Sequence, residues 1–297
     1  MLKGTRLATR LIALAAMALL ATACGNSSPP PEPKAAATPS VTQPKPAERS
    51  ESVSARAEAQ PKPPLLEQEV AYGEAQKRNL VGFLAMPSDA AEPLPGLIVI
   101  HEGYGLNDNV KAMTRKLASE GYVALAVDLY GGATADTPEK ARRLMAALAD
   151  DQDAARANLK QGFDYLAKYA LAPRIGSVGW ALGGGWSLQT ALMLPDQLRA
   201  MVMYYGPIVG SDSDLATLGM PVLGFFAGLD ESIPVRDVQK FRSTLLKAGK
   251  PAEIIIYPKA RAGFANPDGG TFDEQSASES WQKTLAFLAE NLQPKPR

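Results

Sequence analysis

The stretch Ile175-Gly-Ser-Val-Gly-Trp-Ala-Leu-Gly-Gly-Gly-Trp-Ser187 decides how the rest of the chain is read. Its residues up to Gly179 suit a strand, Gly183 to Gly185 a tight turn, and the apolar residues beyond a helix. The spacing Gly179-Trp180-Ala181-Leu182-Gly183 is that of G-x-S-x-G, a strand-to-helix bend that presents a nucleophile above a sheet. Glycines flank such a bend because a Cβ at either place collides with the opposing backbone. Here the central residue is Ala181, so the scaffold for a nucleophile is present without the nucleophile.

Outward from this bend, strand and helix patterns alternate from about Leu65 to the end. Val70–Tyr72 and Leu80–Met86 read as two short strands joined by a polar turn. Leu97–Ile100, Tyr122–Val127, Arg174–Trp180, Ala200–Tyr205, Val222–Ala227 and Ile254–Tyr257 are apolar runs of the kind buried on both faces of a parallel sheet. Asn107-Asp108 caps a helix that stops at Gly121, and Thr137-Pro138 opens helical pattern filling most of 138–169. Further helices are predicted over 184–194, 235–248 and 272–292. The expectation is one α/β domain, 65–297, with a mostly parallel twisted sheet and helices on both faces.

The first 64 residues have a different texture. Residues 1–24 carry a basic start (Lys3, Arg6, Arg10), an apolar run from Leu11 to Leu20, and small residues before Cys24. This is the layout of a secretory signal peptide, too short to span a bilayer. Cys24 stands where bacterial lipoprotein signals place the lipidated cysteine, and the stretch resembles such a signal. An ordinary cleaved signal with an incidental cysteine is the alternative. Gly25, rather than Asp, implies by the same resemblance the outer membrane, facing the periplasm. Residues 25–64 hold ten of the 24 prolines and no aromatic residue. That composition predicts a disordered tether of about 35 Å or more between anchor and domain. Membrane contact is then through the lipid alone.

Composition removes several function classes. Lys+Arg and Asp+Glu are 31 each, so no basic footprint for nucleic acid exists. His101 and Cys24 are the sole histidine and cysteine, which excludes a multi-histidine metal site and any disulfide within the chain. No metal or cofactor is expected, and the domain is expected to be a monomer.

The pieces His101-Glu-Gly-Tyr-Gly-Leu-Asn107, Asp128-Leu-Tyr-Gly131, Gly179-Trp180-x-x-Gly183-Gly-Gly185 and Tyr257-Pro258…Gly263-Phe264 resemble, in order and over the whole domain, the dienelactone hydrolase family. The resemblance implies an α/β-hydrolase fold and a triad running nucleophile, acid, base along the chain. Carried over by position, Asp230 is the retained acid, Ala181 the vacated nucleophile position and Ala262 the vacated base position. Glu102 matches a pocket carboxylate, and Gly103 and Leu182 supply the backbone N–H groups of an oxyanion hole. The arginines that grip the dienelactone carboxylate have no clear match.

Without nucleophile and imidazole no acyl-enzyme can form, and loss of such members costs on the order of 10⁴ to 10⁶ in rate elsewhere. Ser177 and Ser187 read as structural, as does His101, against the alternative of a relocated base. Removing an imidazolium leaves carboxylates without a partner. Arg261 is therefore expected either to turn inward onto Asp230 or Glu102, or to sit in an exposed loop. Three functions remain open. One is a non-catalytic lipoprotein binding a small carbonyl- or carboxylate-bearing molecule. Another is an ester or lactone hydrolase with Glu102, Asp230 or His101 as base for water. The last is a structural role with a vestigial pocket.

Overall fold

The computed structural model describes residues 62–75 and 77–294; the signal, Cys24 and nearly all of the tether lie outside them. Eight strands form one sheet: β1 (Leu65–Ala75), β2 (Arg78–Pro87), β3 (Gly96–Ile100), β4 (Val123–Val127), β5 (Ile175–Trp180), β6 (Ala200–Tyr204), β7 (Val222–Ala227) and β8 (Ala252–Tyr257). Their order is β1-β2-β4-β3-β5-β6-β7-β8. The β1–β2 and β2–β4 pairings are antiparallel, and all others are parallel. The hairpin strands run longer than predicted, because Glu67, Gln68 and Glu69 on β1 are exposed and leave no apolar alternation to read.

The helices are α1 (Asp108–Ala118), α2 (Pro138–Asp150), α3 (Gln152–Lys168), α4 (Leu182–Met193), α5 (Asp212–Leu215), α6 (Val235–Lys247) and α7 (Glu274–Leu292). Successive strand residues point to opposite faces, so the core lies in two layers. Ile98, Ile100, Leu125 and Val127 pack with Leu159 and Phe163 of α3, Leu188 of α4 and Phe241 of α6. Leu97, Val99, Ala124 and Ala126 pack with Val110 and Leu117 of α1 and Leu288 of α7. The helical pattern predicted over 138–169 is two helices. Asp151 breaks it with a non-helical backbone, while its carboxylate accepts the Ala154 N–H and so caps α3. With both faces covered, the open C-terminal ends of the parallel strands are left to build a site.

Among the described residues no helix is long and apolar enough to cross a membrane.

Candidate active site

β5 runs fully buried to Trp180, and the chain then bends at Ala181 before α4 begins at Leu182. Ala181 has φ 49° and ψ −116°, a region that L-residues occupy at a cost of about 1–3 kcal/mol. Its N–H donates to Tyr204 O on β6 (3.0 Å), and its carbonyl accepts from Gly184 (2.9 Å) and Gly185 (3.3 Å). A Cβ on Gly179 would strike the Gly183 carbonyl, and one on Gly183 would strike the carbonyls of Ile100 and His101. The bend is therefore held from both sides while position 181 carries only a methyl group. Ala181→Gly is expected to relieve the torsional cost. Added unfolded-state entropy offsets about 0.4–1 kcal/mol of that relief. The net stabilisation is about 1 kcal/mol, or a Tm rise of about 2–4 °C by calorimetry. A fall in Tm would show that the bend stores no strain.

The Leu182 N–H lies in the first turn of α4, where amides lack an intrahelical acceptor and the helix dipole is positive. Gly103 lies in the loop after β3. The Tyr130 hydroxyl donates to Gly103 O (3.2 Å), which fixes the orientation of that segment. Met145 of α2 lies close by, its Sδ 2.9 Å from where a Cβ on Gly103 would stand. The amides of Gly103 and Leu182 are main-chain groups, so they do not depend on the side chains at positions 181 and 262.

The loops that carry Asp230 and Ala262 are tied together. Gly228 N–H donates to Tyr257 O (2.8 Å) and Leu229 N–H to Ala260 O (3.0 Å), bringing the segment ending in Asp230 against the one leading to Ala262. Asp230 Oδ1 accepts from Ser232 N–H (2.7 Å) and Ile233 N–H (3.1 Å). Ala262 is exposed, and its carbonyl accepts from the Thr271 hydroxyl (2.7 Å). Arg261 is exposed too, and among the described residues no ion pair joins it to Asp230 or Glu102. Of the two placements expected for Arg261 the exposed one is found and the inward one is not; Phe264 is the residue of this loop that fills the core.

Glu102 finds a neutral partner instead. Asn266 Nδ2 donates to its Oε2 (2.8 Å). Burial pushes the Glu102 carboxyl above the ordinary carboxylate range, while Asn266 and the Tyr205 hydroxyl beside it pull the other way. Glu102, Asn109, Trp180 and Asn266 border a void of about 10 Å³, and the Trp180 indole N–H has no hydrogen-bond partner among the described residues. Among the described residues no group of three His, Cys, Asp or Glu side chains is placed to hold a metal ion.

Comparison with known proteins decides the family. The dienelactone hydrolase family model matches residues 80–292. The chain belongs to the dienelactone hydrolase family. It is 33% identical over 233 residues to a protein of Escherichia coli O157:H7 named "Putative carboxymethylenebutenolidase", covering 72% of this chain and 83% of that one. It is 30% identical over 218 residues to "Protein usf" of Aquifex pyrophilus, covering 71% and 93%. A Klebsiella pneumoniae crystal structure titled "Putative Dienelactone Hydrolase" superposes with TM-score 0.67 at 30% identity, covering 76% of this chain and 99% of that one.

In this dienelactone hydrolase family member the sole histidine, among the described residues, makes no hydrogen bond or ion pair with Asp230 or Ala262. His101 is fully buried. Its Nδ1–H donates to Glu102 O (2.7 Å), and its Nε2 accepts from Leu129 N–H (3.1 Å). Both nitrogens are thereby occupied by backbone, which corrects any pairing of this imidazole with a pocket carboxylate. The nearest charged oxygen is Asp128 Oδ1 at 3.9 Å, on the side facing Leu129. Ser177 and Ser187 are likewise committed: their hydroxyls bond each other (2.8 Å), and Ser187 Oγ donates to Val202 O (2.9 Å), all within the core.

Burial pushes His101 below its ordinary value near 6.5. The folded state then binds fewer protons than the unfolded chain at mildly acid pH. This contribution to stability is complete above about pH 6.5 and is lost as pH falls below it toward the folded value. His101→Gln is expected to flatten stability against pH between about pH 7 and 5, relative to the parent, in urea midpoints. An unchanged slope would show that His101 is not held neutral.

The sequence singled out neither Asn266, Tyr205 nor Met145, and gave Tyr130 only as part of the Asp128–Gly131 piece, without a contact to Gly103. Asn266 follows the vacated base position by four residues, which is the one local signal. The other three act through contacts between distant segments.

Proposed function

We propose that this dienelactone hydrolase family member has lost ester hydrolysis. It binds a small carbonyl- or carboxylate-bearing molecule at the vacated elbow, held at the bacterial envelope by lipid on Cys24. The observation carrying this reading is that the two core serines and the sole histidine are already committed to structural hydrogen bonds. Ser177 and Ser187 bond each other in the core, and both His101 nitrogens are taken by backbone. What remains at the bend is a methyl group beside main-chain donors, which favours binding an oxygen over attacking a carbon.

The full chain is expected to hydrolyse p-nitrophenyl acetate no faster than background. Thermal-shift titration with acetate is expected to raise its Tm. Glu102 supports a second reading, because a carboxyl with a raised pKa next to the oxyanion loop is suited to activating water. Parent turnover that Glu102→Gln abolishes would establish that rearranged hydrolase instead. No turnover and no ligand response would leave a structural role. For the anchor, Cys24→Ser is expected to move the protein from the membrane fraction to the soluble periplasmic fraction. Unchanged fractionation would remove the lipid from the proposal.

A further inference from the structure

The turn that ends α3 holds a residue its backbone disfavours. Ala172 N–H donates to Leu166 O (2.9 Å), a bond that closes a helix C-terminus through one left-handed residue. Leu171 stands there with φ 53°. Glycine or asparagine suits such a position, whereas a leucine Cβ crowds the following carbonyl. Packing could offset that cost, yet Leu171 is 64% exposed and Tyr169 beside it 77%. They are the two most exposed large apolar side chains among the described residues. The Tyr169 ring rests only partly on Tyr165, with centroids 5.4 Å apart. Neither side chain serves the core.

Both lie at the end of the sheet where the parallel strands begin, because Arg174 leads directly into β5. The chain enters the domain at this same end. Leu65, the first residue of β1, pairs with Pro87, and β2 runs antiparallel to β4 with Ala85 opposite Ala124. Gly96 of β3 pairs with both Val123 of β4 and Ile175 of β5. Lys62 is held there by Glu120, just before β4 (2.9 Å). The residues that precede 62, Cys24 among them, therefore join the domain at the end carrying Tyr169 and Leu171. The bend at Ala181 stands at the opposite end, after β5.

Charge adds a direction. Around the starts of β5 to β8 lie Arg174, Arg199, Lys247 and Lys250, and among the described residues none is in an ion pair. The acids there without an ion pair are Asp196 and Glu290, while Glu253 is taken by Lys283 (3.5 Å). Leu246, at the end of α6, is exposed among these cations. A tyrosine and two leucines set among lysines and arginines match a headgroup boundary: the phenol sits at the interface, the leucines reach the acyl chains, and the cations meet phosphates. Each cation near an anionic bilayer strengthens attachment about fivefold.

We propose that this end of the domain docks on an anionic bilayer surface through Tyr169, Leu171 and Leu246, with Arg174, Arg199 and Lys250 on lipid phosphates. The contact is additional to lipid on Cys24 and does not require it. It turns the strand ends that carry Ala181 and Asp230 away from the membrane.

The test is hydrogen exchange of the full chain with and without vesicles of phosphatidylethanolamine and phosphatidylglycerol. Residues 168–174 and 246–251 are expected to exchange at least about threefold more slowly on the vesicles, residues 269–273 at the opposite end to be unchanged, and high salt to remove the difference. Tyr169→Ser and Leu171→Gly, both at exposed positions, are expected to abolish the protection. Without vesicles Leu171→Gly is expected to raise Tm by about 2 °C, because glycine relieves the left-handed turn. No protection in the parent overturns the proposal, as does equal protection on phosphatidylcholine alone or protection that survives both variants. Protection that appears without vesicles and grows with protein concentration overturns it in favour of a second copy of the chain. A Tm that falls in Leu171→Gly also overturns it, since the leucine then serves the fold. None of these outcomes bears on lipid at Cys24, which the fractionation of Cys24→Ser decides.

Discussion

Ala181→Cys combined with Ala262→His is expected to raise p-nitrophenyl acetate turnover by about 10³-fold over the parent, with each single variant within about tenfold of it. The bend is already formed: φ 49° at position 181, both flanking glycines packed on backbone, and the Leu182 amide in place. A thiol there would sit at the N-terminus of α4, where the helix dipole lowers its pKa and favours thiolate. Asp230 spends Oδ1 on its own loop, leaving Oδ2 for an imidazole N–H. The hydrogen bond from Leu229 N–H to Ala260 O keeps that loop beside position 262. Nucleophile and base act as one unit, so their restored contributions are not additive. A single Cys variant as active as the double would show that a histidine at 262 does not reach the thiol, and that the acid and base loops are not aligned for catalysis.

Gly183→Ala should have the largest effect on stability. Its Cβ would meet the carbonyls of Ile100 and His101, main-chain atoms of β3 and the loop that follows, neither of which can rotate away. A loss beyond about 4 kcal/mol is expected, corresponding to a Tm drop of roughly 10 °C or more for a domain of this size, or no soluble protein. Gly132→Ala is the contrast. Its φ is 94°, but nothing lies within 4 Å of the added carbon. Its cost is therefore limited to torsional strain of about 1–3 kcal/mol. Equal losses in the two variants would mean that torsion rather than collision makes Gly183 necessary.

The central strands were legible because a strand covered on both faces is a bare apolar run, and β3 to β7 are such runs. Glycine spacing alone located the bend. Less accessible was the division of α2 from α3, since apolar periodicity continues across Asp151 and only its carboxylate's preference for capping interrupts it. The single turn α5 is too short to have a period at all. At the site, charge matching left two placements open for Arg261, inward onto a carboxylate or exposed in its loop, and the exposed one is found. Complementary charge says which groups would gain by meeting, whereas the burial of Phe264 decides which way that loop faces. The pairing of Glu102 with Asn266 spans 164 positions and leaves no mark on either neighbourhood.

The bend at 181 is specified entirely by its surroundings: two glycines, the Tyr204 carbonyl and the amides of Gly184 and Gly185. None of these inspects the side chain displayed there. Foldability and chemical competence are consequently separate traits in this chain. Purging of misfolded variants acts strongly on positions 179 and 183 and only weakly on 181. A lineage built this way can shed its reaction, and later recover it, without any ancestor that failed to fold.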